Sequence, residues 1–412
     1  DDIALTGKRH PFVNQAQVGF DGQGLITAVN AELNGLCGCS PDLSDAIVDR
    51  AMFHTDNAYY LPAATITGHR WFQNTVSTTA FRGFGGPQGM LTIEAAMDHM
   101  ASVLKLDPVD VRLRNLYRPG NDETPYGQKV TDFRLARMMD QLIEQSNYRE
   151  RRQAIAQFND SQSYLRRGLA LTPVKFGISF TATHLNQAGA LIHVYSDGSV
   201  HLNHGGTEMG QGLFTKISQI VASEFQVDIS LIKVSATRTD KVPNTSPTAA
   251  SAGTDLNGKA AQNAAKKIKA RLVKFACSRY TVEEADVQFS LDGVVIGDKL
   301  TSFPELIQEA YLNRISLSAT GFYRTPKIYY DRESASGQPF YYFSCGAAVS
   351  EVVIDVLTGE YKVLRTDILH DVGNSINPAL DIGQIEGGFI QGMGWLTTEE
   401  LIWGDDGRLL TD

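Results

Sequence analysis

The sequence predicts an α+β fold, because four hairpin signals and five helical stretches come in runs rather than in a regular strand–helix–strand alternation. Its 412 residues suit two or three domains, and 42% hydrophobic with 20% charged residues is the balance of a chain that buries a core. Each hairpin is read from a tight-turn pair between alternating apolar residues: Asp21-Gly22 within 16–33, Asp197-Gly198 within 190–203, Asp292-Gly293 within 287–296 and Thr358-Gly359 within 352–368. Asp-Gly suits such turns because their twist needs residues that tolerate positive φ. Helices are expected over 89–104, 133–158, 212–225, 257–277 and 382–396, where apolar residues recur at three or four. A polar stretch over 149–167, with the charge run Arg149-Glu150-Arg151-Arg152, places a domain boundary near residue 160 and divides the chain into 1–160 and 161–412.

Charge narrows the partners. Forty-six acidic residues against 37 basic give a net charge of −9, and no dense basic block occurs, so neither nucleic acid nor an anionic membrane is expected. No apolar run approaches the roughly 20 residues of a spanning helix, and no signal segment opens the chain, so the default expectation is cytoplasmic. Four scattered cysteines, Cys37, Cys39, Cys277 and Cys345, do not make a disulfide framework. The pair Cys37-Gly38-Cys39 has no second Cys or His pair at zinc-like spacing. An opening at Asp1 without methionine, and a stop at Asp412 just past the turn Gly404-Asp405-Asp406-Gly407, read as a piece of a longer protein.

Four segments crowd glycine with small polar residues. The first, 81–89, reads Phe-Arg-Gly-Phe-Gly-Gly-Pro-Gln-Gly and runs into a helix. Glycines let backbone N–H groups approach a ligand, and a helix start favours an anion. Gln88 and Pro87 exclude a dinucleotide fingerprint. The second, 204–212, reads His-Gly-Gly-Thr-Glu-Met-Gly-Gln-Gly; it is no Walker loop, but its amides and the Gln211 side chain suit a polar, phosphate-bearing ligand. The third, 243–253, has almost no bulky side chain and suits contact with a large rigid cofactor. The fourth, 371–388, joins Asp371-Val372-Gly373-Asn374 to a helix start carrying Gln384. Each alone reads equally well as a structural turn. Together they point to one large ligand.

Conventional catalytic groups are thin. No Gly-x-Ser-x-Gly elbow or His-Glu-x-x-His pair occurs. His54 and His204 lie near the glycine-rich segments, and a lone histidine is ordinarily structural. Arg50, among helical apolar neighbours in Val48-Asp49-Arg50-Ala51-Met52-Phe53-His54, is ordinarily a surface ion-pair residue.

Taken together, the four segments resemble the molybdenum-binding portion of the xanthine dehydrogenase and aldehyde oxidase family, from about Arg9-His10-Pro11-Phe12 to the last residue. Blocks such as Lys175-Phe176-Gly177-Ile178-Ser179-Phe180 and Leu317-Ser318-Ala319-Thr320-Gly321-Phe322-Tyr323 carry the same likeness. The resemblance implies molybdenum chelated by a molybdopterin dithiolene, with or without a cytosine nucleotide, lodged between two α+β domains. It implies that Arg82 and Ala250 approach the molybdenum group through their backbones. Phe81, Gly83, Met209, Gly210, Gln211, Ser251 and Gln384 would hold the pterin or its phosphate. Phe84 and Phe180 would sandwich a planar substrate, with Arg50, Thr181 and Ala249 lining the pocket. An arginine at position 50 accompanies purine substrates in this family, so the resemblance implies hydroxylation of hypoxanthine and xanthine with water-derived oxygen. Electrons would leave through 2Fe-2S centres and FAD on partner domains or subunits toward NAD. Paired heteromers and a separate molybdenum subunit of bacterial type are implied as well. The family's Gly-Gly-Phe-Gly-Gly-Lys-Glu and the Gly-Glu-Pro-Pro that supplies its base glutamate do not occur in the sequence. They are expected before residue 1 and beyond residue 412, which leaves no catalytic base in the chain and predicts that it is inactive alone. An aldehyde or other N-heterocycle hydroxylase, and a non-catalytic pterin-binding module, are the alternatives.

Overall fold

The structure is a computed structural model that describes every residue except Asp1, Ala236, Thr239, Val242, Pro243 and Asp412, so the Pro243 end of the third segment lies outside the described residues. A short α1 (Asp2–Leu5) precedes β1 (Phe12–Phe20), which the Asp21-Gly22 turn folds antiparallel onto β2 (Ile26–Gly38). After α2 (Ser44–Phe53), strand β3 (Ala64–Phe72) returns parallel to β2. Four helices follow: α3 (Gly86–Leu104), α4 (Pro108–Asn115), α5 (Arg134–Gln145) and α6 (Tyr148–Ser161). Helix α4 starts where Asp107 accepts the Val109 amide and Pro108 occupies the first turn, a combination that satisfies an otherwise orphaned donor. The single helix expected over 133–158 is two helices. Asn147 takes φ 53, the left-handed conformation asparagine tolerates, and breaks the run. Strand β4 (Leu165–Ile178) closes this part.

The next stretch builds a second unit. Strands β5 (Gln187–Val194) and β6 (Val200–His204) form the expected hairpin, followed by α7 (Leu213–Phe225), β7 (Ile232–Val234) and α8 (Lys259–Tyr280). Then come β8 (Val287–Ser290), β9 (Gly293–Ile296), β10 (Lys299–Thr301), α9 (Phe303–Leu312) and β11 (Ser318–Arg324). The larger sheet runs β11-β5-β6-β7 and the smaller β10-β9-β8. Alanines at 260, 261, 264 and 265 make one face of α8 thin, so β11 comes close enough that a Cβ on Gly321 would lie 1.9 Å from the Ala260 carbonyl.

The chain then returns to the first unit with the β12 (Tyr329–Asp331) and β13 (Ser336–Gln338) pair, and with β14 (Tyr342–Asp355) and β15 (Tyr361–His370). These last two complete the antiparallel sheet β15-β14-β4. Helix α10 (Pro378–Thr397) ends the regular structure. The units comprise Asp1–Thr181, Lys327–Gly373 and Gly388–Asp412, and Ala182–Pro326 with Asn374–Gly387. The boundary expected near residue 160 falls between α6 and β4, but β4 pairs with β14 from Leu165 to Ile178, and this pairing keeps it in the first unit. Among the described residues no helix is long and apolar enough to cross a membrane.

Candidate functional site

In the first unit, α2 carries Arg50 in its last turn with the side chain wholly buried. Nη1 donates to the Gly177 carbonyl at 2.8 Å and Nη2 donates to the Ser179 carbonyl. The guanidinium carbon lies 5.0 Å from the Phe176 ring centroid, 5.2 Å from Phe340 and 5.8 Å from Phe84. Burial pushes its pKa down to about 9, so it remains a cation at neutral pH. An unpaired buried cation is costly, and the three ring faces with two charged hydrogen bonds offset that cost. The surface ion-pair role ordinarily expected of Arg50 is therefore wrong: the side chain is inside.

Phe84 and Phe180 are both buried and meet edge to face, centroids 6.0 Å apart at 86°. Phe84 has φ 51, an uncommon conformation for a bulky residue, between Gly83 and Gly85 in the same half of conformational space. Thr181 joins them, its hydroxyl donating to the Ala46 carbonyl of α2 at 3.4 Å. Arg9 stacks over Phe81 at 4.2 Å and donates to the Arg82 carbonyl at 2.9 Å. Some of the glycines in this segment answer to packing instead of a ligand. A Cβ on Gly85 would lie 2.1 Å from the Ile47 carbonyl, and one on Gly89 would lie 2.0 Å from that of Ala51.

In the second unit, the 204–212 segment links β6 to α7 and folds on itself. Glu208 accepts the amides of Gly210 at 2.9 Å, Gly212 at 3.0 Å and Phe214 at 2.9 Å, so its carboxylate sits where the helix start favours an anion. Local desolvation opposes ionisation, but these amides outweigh it and hold the carboxyl of the exposed Glu208 below its ordinary value. Gln211 accepts from the Met209 amide at 2.6 Å and donates to the Thr207 carbonyl at 2.8 Å. The nest expected to meet a phosphate is thus filled by the chain's own side chains. His204 is buried and held neutral, its pKa pushed down by burial to about 4; its Nδ1 accepts from Gly206 at 3.2 Å.

The third segment joins the second where the Thr207 amide donates to the Thr248 hydroxyl at 2.9 Å. Ala250 and Ser251 have φ 57 and φ 58, and Ala249 beside them is half-buried. Left-handed non-glycine residues cost energy and cluster at ligand sites. The 374–387 part of the fourth segment reaches the same place through Lys216 and Asp381, 2.5 Å apart, and Asn377 donating to Gln219 at 3.1 Å. Gln384 lies three residues beyond Asp381, on the same side of α10. Met209 is 66% exposed, and a Cβ on Gly210 would meet nothing within 4 Å. A small-residue wall, left-handed turns and open space at Gly210 fit a broad, flat group such as a pterin. Among the described residues no cluster of three or more His, Cys, Asp or Glu side chains is placed to hold a metal.

Arg50, Phe84, Phe180 and Thr181 therefore gather in one unit with Phe81, Arg82 and Gly83, while Met209, Gly210, Gln211, Ala249, Ala250, Ser251 and Gln384 belong to the other. Sequence reasoning missed Phe176 and Phe340 beside Arg50, because rings from three elements converge there without a local pattern. It also gave Glu208 no role, because it lies five residues before α7, outside the cap and first-turn positions where an acidic residue signals a helix start.

Comparison with known proteins bears on both halves. A family profile described as a molybdopterin cofactor-binding domain matches residues 141–412, and a second profile of the same description matches 1–116. The chain is 48% identical over 411 residues to the xanthine dehydrogenase/oxidase of Gallus gallus, covering 100% of this chain and 29% of that protein. It is 46% identical over 405 residues to the xanthine dehydrogenase of Oryza sativa subsp. japonica, covering 98% and 28%. The chain thus spans under a third of these relatives' length. Among solved structures, the aldehyde oxidoreductase from Desulfovibrio gigas matches with a TM-score of 0.78 at 25% identity, over 94% of this chain and 40% of that one. Quinoline 2-oxidoreductase from Pseudomonas putida 86 matches with a TM-score of 0.84 at 23% identity, over 99% and 53%, a likeness of fold alone.

Proposed function

This chain belongs to the molybdopterin cofactor-binding domains of the xanthine dehydrogenase family, and from that premise we propose that it forms part of the molybdenum site of an enzyme hydroxylating hypoxanthine and xanthine to urate. When bound, the molybdopterin centre supplies the two-electron oxidation and the water-derived oxygen. Met209, Gly210, Gln211, Ala250, Ser251 and Gln384 would hold the pterin side, with Phe81, Arg82 and Gly83 on the molybdenum side. In this reading Arg82 and Ala250 face the metal group through their backbones.

Phe84 and Phe180 would orient a planar heterocycle, since offset or edge-to-face ring contacts resist tilting. Thr181 and Ala249 would line the pocket. Arg50 would pair with a purine carbonyl as negative charge grows there, and its dry surroundings strengthen that interaction. The electrons would pass to 2Fe-2S and FAD groups on partner domains or subunits, then to NAD, in a cytoplasmic heteromeric dimer of protomers.

The observation that carries the purine reading is the buried cation of Arg50 beside the Phe84–Phe180 pair. The test is Arg50→Ala in the assembled enzyme, comparing xanthine with an aromatic aldehyde. Loss of one charged hydrogen bond in a dry site predicts that xanthine kcat/KM falls roughly 100-fold while aldehyde turnover stays within about threefold. Equal losses on both substrates, or none on xanthine, would remove the purine assignment in favour of an aldehyde or other N-heterocycle hydroxylase.

A further inference from the structure

Arg50, His54 and Asn57 are spaced i, i+4, i+7, so they line one face of α2 and its continuation. Strand β4 is the end strand of the sheet β15-β14-β4, which leaves one edge of its backbone without a neighbouring strand among the described residues. The three side chains take that strand's place. Asn57 Nδ2 donates to the Pro173 carbonyl at 3.0 Å, and its Oδ1 accepts from the Lys175 amide at 3.2 Å. His54 Nε2 accepts from the Gly177 amide at 2.9 Å. Arg50 follows on the carbonyls of Gly177 and Ser179. Five backbone groups on a buried edge are therefore satisfied by side chains, each of which would otherwise carry the cost of an unmade hydrogen bond.

The geometry also settles the His54 tautomer. Nδ1 lies 2.9 Å from the Arg50 carbonyl, which can only accept, so Nδ1 carries the proton and Nε2 presents its lone pair to Gly177. A second proton on the ring would set donor against donor at Gly177. It would also add a cation facing Arg50 and Lys175, of which, among the described residues, only Lys175 has a carboxylate partner nearby, Asp56 at 3.3 Å. The ring is wholly buried and stays neutral, held there first by burial and then by the two cations.

We propose that His54 is a positioning residue for Arg50: by fixing the β4 backbone at Gly177 it fixes the carbonyl that aims the guanidinium. This rests on the reading of Arg50 as the purine contact. His54 bonds the Arg50 carbonyl and the Gly177 amide and packs its ring against Phe176, centroids 4.8 Å apart, and Phe340, 5.1 Å apart, so it acts on the guanidinium through what surrounds it and not on substrate or cofactor directly.

Two substitutions in the assembled holoenzyme separate positioning from mere folding. His54→Asn keeps a donor near the Arg50 carbonyl but is too short to reach Gly177, whereas His54→Gln places an acceptor near the Nε2 position. Losing one buried hydrogen bond predicts, for His54→Asn, roughly tenfold faster hydrogen exchange at Gly177 and a roughly tenfold rise in xanthine KM, with aromatic aldehyde KM within about twofold. His54→Gln should bring both readouts back to within about threefold of the parent. Unchanged exchange at Gly177 in His54→Asn overturns the anchor. Faster exchange with an unchanged xanthine KM, or failure of His54→Gln to restore either readout, overturns the positioning role. A parent enzyme that does not oxidise xanthine overturns the purine reading instead, and the exchange result then still tells whether the anchor exists.

Discussion

The cluster around Arg50 in the first unit and the loop cluster around Gln211 in the second are built by opposite means. Around Arg50 the work is done by large buried side chains: Phe84 is 4% exposed and Phe180 0%, and the guanidinium is enclosed by rings and strand carbonyls. Around Gln211 it is done by backbone: Met209 is 66% exposed, and the loop's amides and side chains are spent on one another. Interiors are close-packed, so the first cluster is held by many contacts before any ligand arrives. The second is held by turn-level hydrogen bonds worth about 1 kcal/mol each, and it is the one that a ligand can rearrange cheaply.

The largest effect expected from this contrast is at Phe84. Both Phe84 and Ala250 have positive φ, 51 and 57, so glycine suits the backbone at either position. At Phe84 the backbone is the smaller part. Phe84→Gly removes a ring packed against Phe180 and over Arg50, and emptying a buried aromatic site costs about 3–5 kcal/mol. Urea denaturation should show that loss, and xanthine binding should weaken with it. A loss under about 1 kcal/mol would mean that the site collapses freely, against the rigid character assigned to this cluster.

A smaller effect is expected at Glu208. Its carboxylate accepts three amides at the start of α7, and an anion there contributes about 1 kcal/mol. Glu208→Gln keeps an acceptor and loses the charge. Because the folded carboxyl lies below its ordinary value of 4.5, its contribution is fully present above that pH and is lost as pH falls through the folded value. The gap between parent and Glu208→Gln, read as hydrogen exchange over 205–214, should therefore be widest near neutral pH and close on acidification. A gap that widens on acidification would show that the charge does not stabilise the loop.

How much of this was legible in the sequence differs between the clusters for the same physical reason. All four Asp-Gly or Thr-Gly hairpins formed as expected, because turn chemistry is local: β1–β2, β5–β6, β8–β9 and β14–β15. The loop cluster was visible as runs of glycine and small residues for the same reason. Helices α4 and α9 and the long strand β4 were missed, the last because its partner β14 lies far along the chain and its outer edge is completed by helix side chains. The ring cage of Arg50 joins α2, the 81–89 segment, β4 and the stretch before β14, so no window of sequence contains it. The resemblance to a family marked Arg50, Phe84 and Phe180, but the spacing of Arg50, His54 and Asn57 was the only local sign of what holds the arginine.

The smallest effect, and the sharpest contrast with Phe84, is expected at Ala250. Its φ of 57 costs a non-glycine residue roughly 1 kcal/mol, which Ala250→Gly relieves. The same change frees the unfolded chain by about 0.4–1 kcal/mol, so the two contributions nearly cancel. The side chain removed is one methyl group, too little to open a cavity of consequence. Stability should therefore shift by less than about 0.5 kcal/mol, as measured by urea denaturation. Molybdopterin content of the purified enzyme should stay near that of the parent, since the contact proposed at this position is through its backbone. A Gly variant that kept its stability but lost the cofactor would show that the Ala250 methyl itself touches the ligand, and the second cluster would then rest on side-chain packing as the first does.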